Sequence, residues 1–277
     1  MLPANPRSLR GAGMTLRITI LGCGASMGVP RIGNDWGACN PNNPKNRRRR
    51  CSVLAERIGP GGVTSVLIDT SPDLREQLLS VGIKRLDGVV YTHDHADHTH
   101  GIDDLRFLSY MQRKRIDVWA DVRTLMLLRR RFDYCFETQP GSSYPPILSG
   151  HLIENLNPVT IIGPGGDLTI QPFRQLHGDI DSLGLRIEGV AYSCDLNDLP
   201  EESLPSVQGL DCWILNTLRY TQHPSHLSLE KALGFIGRMQ PRQAVLTHLH
   251  VEIDYDELSA KLPANVVPAY DGMVLEF

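Results

Sequence analysis

The sequence predicts an α/β protein in which β-sheets lie sandwiched between helices. Two observations carry that reading: apolar, β-branched runs of strand length recur through both halves of the chain, and helical patterns are interleaved among them. A third bears on chemistry, because the densest cluster of histidine and aspartate directly follows one of those strands. With 277 residues, of which 41% are hydrophobic and 21% charged, the chain can bury a sizeable core in one layered unit. A net charge of -3 supplies no global basic field for nucleic acid. No apolar run approaches the roughly 18 residues of a membrane span, so no membrane association is expected. The six cysteines lack C-x-x-C spacing and the N-terminus lacks the order of a secretory signal, so a cytoplasmic location is expected.

Residues 1–13 are rich in Pro and Gly and read as a flexible tail, leaving 14–277 as one domain. A strand over Leu16 to Leu21 runs into the glycine-rich loop Gly22 to Gly28. That loop lacks the Gly-Lys-Ser/Thr ending of a phosphate-binding loop, and its glycines instead let the chain pass close beneath a site. The polar segment from Arg31 to Arg50 follows, and its Arg47 to Arg50 run reads as a solvated or salt-bridged face. Cys51 to Glu56 and Ser65 to Asp69 form a hairpin closing near Gly59-Pro60-Gly61-Gly62. Ser71 caps a helix with Pro72 at its first position, and Gly82 ends it after Val81. Strand Val89 to Tyr91, helix Ile102 to Met111, strand Val118 to Ala120 and helix Val122 to Phe132 come next. The Pro- and Ser-rich stretch Glu137 to Pro158 reads as an insertion over the site. Strands are expected at Leu168 to Leu176, Leu183 to Ile187, Val190 to Ser193, Leu210 to Leu215, Ala244 to Thr247 and Val274 to Phe277. A helix over Leu227 to Met239 starts near Ser225 or His226.

The run Thr92-His93-Asp94-His95-Ala96-Asp97-His98 reads H-x-H-x-D-H. Imidazole and carboxylate both bind zinc, manganese or iron, and ligands on one tight loop converge with little extra ordering. Further candidates stand where predicted strands end: His177, Asp195 and His248. Seven potential ligands over four strand ends suffice for two metal ions sharing one carboxylate.

This ordered set resembles the metallo-β-lactamase superfamily, from about Leu16 to Phe277. The resemblance implies a four-layer αββα sandwich and two divalent ions, Mn2+ or Zn2+. It assigns His93, His95 and His177 to one metal, Asp97, His98 and His248 to the other, and Asp195 to both. Asp69 matches an aspartate that orients ligands from behind. The Gly22 to Pro30 loop, Asn46 to Ser52, and Ala269-Tyr270-Asp271-Gly272-Met273 are similar to the branch containing ribonuclease Z and the PhnP-type cyclic phosphodiesterases. His226 resembles that branch's additional histidine, with a role in meeting a phosphate oxygen or protonating a leaving alkoxide. The implied activity is phosphodiester hydrolysis of small cyclic phosphates or cyclic nucleotides by a hydroxide bridging the metals, with His226, Asp97 and Asp195 as catalytic residues.

Departures from the branch narrow this further. The early loop keeps only Cys39 and His250 is at a different offset, so no structural zinc is expected. The short Ile162 to Gly166 stretch leaves no room for the long arm with which ribonuclease Z grips transfer RNA, so no stable nucleic-acid partner is expected. The alternatives are an acyl, thioester or lactone hydrolase of the same fold, or a nuclease processing the tRNA 3′ end. The expected partner is a small phosphodiester or nucleotide substrate, and the resemblance allows a homodimer. His100, His151, His223 and His250 read as surface or supporting residues, Cys194 as apolar filler and Asp271 as a turn residue.

Overall fold

Alternation of apolar side chains along the strands divides the core into three layers of packing, and these define the architecture. The computed structural model describes residues 14–277, so the expected N-terminal tail lies outside the described residues. In chain order the strands are β1 (Thr15–Gly22), β2 (Ser52–Gly59), β3 (Gly62–Ile68), β4 (Gly88–Val90), β5 (Ile116–Ala120), β6 (Leu148–Leu152), β7 (Val159–Ile161), β8 (Leu168–His177), β9 (Ile180–Ile187), β10 (Val190–Ser193), β11 (Cys212–Asn216), β12 (Gln243–Thr247), β13 (Val266–Pro268) and β14 (Val274–Glu276). They form two seven-stranded sheets, ordered β14-β1-β2-β3-β4-β5-β6 and β13-β12-β11-β10-β9-β8-β7.

Val53, Ala55, Val66 and Ile68 of the first sheet face Leu185, Tyr192, Ile214 and Val245 of the second. Their sequence neighbours point the other way, as the two-residue period of a strand requires. Leu54 and Leu67 pack against Leu74 and Leu78 of the helix Leu74–Val81, and Val118 against the helices Leu105–Gln112 and Val122–Arg131. Trp213, Leu215 and Leu246 pack against Ala232 and Ile236 of the helix Leu229–Met239. Helix, sheet, sheet and helix thus stack as an αββα sandwich, the predicted fold. Among the described residues no helix is long and apolar enough to cross a membrane.

Several element boundaries differ from expectation, each for a local reason. The first helix begins at Leu74 with Asp73 as N-cap, because Ser71 Oγ accepts from the Asp73 N–H and donates to Gln77 in a turn ahead of it. The last long helix begins at Leu229, where Ser228 Oγ accepts from the Lys231 N–H; His226 therefore lies in the preceding loop. The stretch from Glu137 to Pro158 is not simply a cover over the site: its β6 pairs in parallel with β5 at the sheet edge. Residues 162–167 form the short turn of the β7–β8 hairpin.

The early polar segment is locked down by its own charges. Arg48 is buried, donating to Asn46 Oδ1 and the His250 carbonyl, with Cys39 Sγ 3.8 Å from its Nη1. Arg49 pairs with Asp271 at 3.0 Å, Arg50 with Asp73 at 2.8 Å, and Arg47 lies over the Trp36 ring. Asp271 does more than turn the chain: its carboxylate also accepts from the Cys23 and Arg49 N–H groups. Gly22 is required by close approach, since a Cβ there would sit 2.1 Å from the Arg50 carbonyl oxygen.

Gly234 and Gly237 inside the last long helix are different. No heavy atom lies within 4 Å of where either Cβ would stand. Gly237→Ala should therefore stabilise the protein by up to about 1 kcal/mol. Leu67→Ala, which empties a fully buried site, should cost about 2–5 kcal/mol. Denaturant unfolding of the variants beside the parent protein checks both.

Candidate metal centre

Strand ends gather at one rim of the sandwich because β3 and β4 are parallel in one sheet and β10, β11 and β12 in the other. Parallel strands deliver their C-terminal ends to the same side. Beyond β4 comes the loop bearing His93, His95, Asp97 and His98; β8 ends in His177; β10 leads to Asp195; β12 leads to His248. His93, His98, His177, Asp195 and His248 are buried, Asp97 is partly exposed and His95 is exposed.

The cluster divides into two groups that share Asp195. His93, His95, His177 and Asp195 form one; Asp97, His98, Asp195 and His248 form the other, with ligand atoms within 4.8 Å of one another in each. Asp195 Oδ2 is 3.4 Å from His177 Nε2 and 3.7 Å from His93 Nε2. Its Oδ1 is 3.3 Å from His248 Nε2 and 3.4 Å from His98 Nε2. The Nε2 atoms of His93, His98 and His248 and the Oδ1 of Asp195 have no hydrogen-bond partner although all are buried. Two donors each about 2.1 Å from one tetrahedral ion stand about 3.4 Å apart. Buried orphan lone pairs at that spacing suit a pair of divalent cations.

Electrostatics point the same way. Burial holds Asp195 toward its neutral form, yet His248, His98 and His226 together bring it well below the usual carboxylate range. Burial opposes charge on His98 and His248 too. Asp195, Asp97 and Asp69 nevertheless hold His98 well above its ordinary value, and Asp195 and Asp97 raise His248 to about 9. Without cations, protons on these two rings neutralise the buried carboxylates. Burial, reinforced by His98, pushes His93 well below its ordinary value.

Hydrogen bonds behind the rings fix which nitrogen faces the centre. His98 Nδ1–H donates to Asp69 Oδ2 at 2.7 Å. Thr92 Oγ1 also donates to Asp69 Oδ2, leaving its lone pair to accept from His93 Nδ1–H at 3.1 Å. His177 Nδ1–H donates to the Ser225 carbonyl at 2.7 Å. Each of the three Nε2 lone pairs is thereby presented inward. Asp69 and His248 both adopt left-handed backbone at φ 61, an uncommon conformation for non-glycine residues and one found at functional sites.

His226 stands beside the pair, its Nε2 4.0 Å from Asp195 Oδ2 and its ring stacked on His248 at 4.6 Å. Asn216 Oδ1 accepts from the Leu227 N–H, so its Nδ2 faces His226 Nδ1 at 3.3 Å and donates to it. The His226 proton therefore sits on Nε2, aimed into the site. Burial, with His248 and His177 adding to it against Asp195, lowers this ring to about 3 and keeps it neutral.

All eight predicted site residues and Asp69 thus meet at one place. His100 and His151 do not: one packs edge-on to Phe132 and the other bonds Asp117. His250 is 3.4 Å from Glu252, and His223 is close to the site, its ring 5.1 Å from that of His226. Sequence reasoning missed Thr92 and Asn216, although Asn216 ends a strand just as His177 does.

Residues 64–249 match the family described as the beta-lactamase superfamily domain. The chain belongs to that superfamily. Across the superfamily, it is 34% identical to a solved structure described as a new diphosphatase from the PhnP family, with a TM-score of 0.85 and coverage of 95% of this chain and 98% of that one. Human short-form tRNase Z, at 16% identity and a TM-score of 0.61 over 94% of this chain and 98% of that one, shares the fold. A curated relative, named octanoyltransferase, from Porphyromonas gingivalis (strain ATCC BAA-308 / W83), is 34% identical over 263 residues. Those residues are 93% of this chain but 51% of the relative, so the chain spans about half of that protein's length.

Asp69→Asn keeps a side chain that tolerates left-handed backbone but removes the acceptor shared by His98 and Thr92. It should weaken zinc or manganese binding about 10–100-fold. Competition titration against a chromophoric chelator, with circular dichroism confirming the fold, measures the loss.

Proposed function

We propose that the chain is a metal-dependent hydrolase of phosphate esters, acting on small phosphodiesters such as cyclic phosphates or cyclic nucleotides. The observation that carries this reading is the neighbourhood of Asp195. Its Oδ2 faces the Nε2 atoms of His93 and His177 and its Oδ1 those of His98 and His248, three of the four without a hydrogen-bond partner, and the Nε2–H of His226 is aimed at the same space. Similarity to a diphosphatase at 34% identity supports cleavage at phosphorus.

His93, His95 and His177 would hold one divalent ion, Asp97, His98 and His248 the other, and Asp195 would serve both. Zinc and manganese each suit such ligands. When bound, the pair supplies charge neutralisation for a phosphoryl oxygen and acidifies water. The protein contributes the rest. Asp195 fixes the spacing between the two ligand groups, and Asp69 with Thr92 keeps His98 and His93 in the ligating tautomer. His226, neutral and held by Asn216, donates its Nε2–H to an oxygen on which charge develops. Of the two roles expected from the sequence, meeting a phosphate oxygen suits a ring that burial holds below its ordinary value and that offers one N–H. Six unpaired, buried cysteines support a reducing compartment.

A second reading, acyl transfer or thioester hydrolysis, is favoured by the octanoyltransferase relative. Half of that relative lies outside the match, so its name describes a protein with as much chain again. The short 162–167 turn supports a small substrate over transfer RNA.

The two readings separate in one panel: bis(4-nitrophenyl) phosphate, 2′,3′-cyclic nucleotides and an octanoyl thioester, each with zinc, manganese or chelator. Phosphoester hydrolysis should appear and vanish with chelator. His226→Ala should lower kcat about 10²–10³-fold with metal content unchanged. Hydrolysis of the thioester alone, or full activity in His226→Ala, decides for the acyl reading.

A further inference from the structure

A cleft of about 660 Å³ opens beside the metal centre, with His226 and His223 in its wall. That volume falls within the range that accommodates a whole small organic molecule, far beyond the need of one phosphate. Its chemistry is specific. Lys231 and Arg238 line it, but Lys231 Nζ is 2.9 Å from Asp198 and Arg238 is 3.8 Å from Glu201, and Glu230 lines it too. Positive charge is balanced there, so a second phosphate gains little. Asn197 Oδ1 already accepts from the Gly178 N–H, which leaves the Asn197 amide N–H groups to offer, and Gln222 adds a second amide. Phe235 supplies an aromatic surface whose ring is set edge-on to Trp213 at 6.3 Å. Trp213 is itself fixed, buried and donating to Ser193 Oγ.

Gly234 lies in the same wall, inside a helix, where glycine is unfavourable. Its backbone is not left-handed, and nothing stands within 4 Å of its missing Cβ, so neither conformation nor packing demands glycine. Its effect is to leave the cleft wall bare. Gly237 is equally unconstrained but does not line the cleft.

We propose that this cleft takes the nucleoside portion of a nucleoside phosphate, whose phosphoryl group lies at the metal centre. The heterocycle packs on Phe235, amides meet its polar edge, and the bare surface at Gly234 gives it clearance. The proposal rests on the phosphoester reading above for the placement of the phosphoryl group.

The test compares ligands that differ only in the nucleoside. Binding of adenosine 5′-monophosphate and methyl phosphate to the metal-loaded protein is measured by calorimetry. Hydrolysis is followed for thymidine 5′-(4-nitrophenyl phosphate) and methyl 4-nitrophenyl phosphate, which release the same leaving group. The parent protein should favour the nucleoside-bearing member by about tenfold or more in Kd and in kcat/KM. Gly234→Leu, which fills the cleft while improving helix propensity, should remove about tenfold of that preference and leave methyl ester turnover within about twofold. Phe235→Ala should act in the same direction, and Gly237→Ala should not. A parent protein without the preference, or a Gly234→Leu variant that keeps it, overturns the proposal. Should neither ester be hydrolysed, the phosphoester reading fails, and the binding comparison alone decides the cleft.

Discussion

The buried carboxylate of Asp195 is the constraint around which this molecule is organised. Removing a charge from water is costly unless it is paired or coordinated, and one Asp195 oxygen receives no hydrogen bond at all. Four buried imidazoles surround it, three with unpartnered Nε2 atoms aimed inward. No core built for stability alone would assemble orphan acceptors in this density. The arrangement makes sense when positive charge belongs at its centre, either as protons on His98 and His248 or as cations in their place.

Holding those groups in register falls to the sheets. Adjacent parallel strands set the spacing of Asp195, Asn216 and His248, because consecutive strands in a ladder lie about 4.8 Å apart. Asp69 and His248 depart from strand geometry with positive φ, which packing on both faces of each sheet sustains. Asp69 also reaches two imidazoles, His98 directly and His93 through Thr92. A single side chain thereby governs one imidazole from each of the two groups that share Asp195.

Much of this was legible in the sequence because strands buried on both faces read as continuous apolar runs and end abruptly at polar residues. Val89-Val90-Tyr91 before the histidine run and Val245-Leu246-Thr247 before His248 are of this kind. What was lost is equally physical. β6 places Ser149, Gly150 and His151 between two leucines, so its edge-strand pairing leaves no apolar signature. β13 is three residues ending in proline, tolerable only at an edge. Ser71 imitates a helix cap while bonding within a turn, and Ser228 is the true cap of the last long helix. For the site, chemistry identified the ligands one by one, but the strand order that makes them neighbours is tertiary information. Asn216 ends a strand as His177 does, but its importance comes from the ring it orients, which only the folded structure brings beside it.

The contact of Asp271 with Cys23 and Arg49 joins residues 248 and 222 positions apart, and β14 completes the sheet edge beside β1. Contacts of such separation form late, since loop closure must precede any gain from them. During synthesis from the N-terminus, the Cys23 and Arg49 N–H groups wait for this acceptor until Asp271 emerges. Synthesis as far as Asp271 is thus a condition for this contact to hold the glycine loop in place.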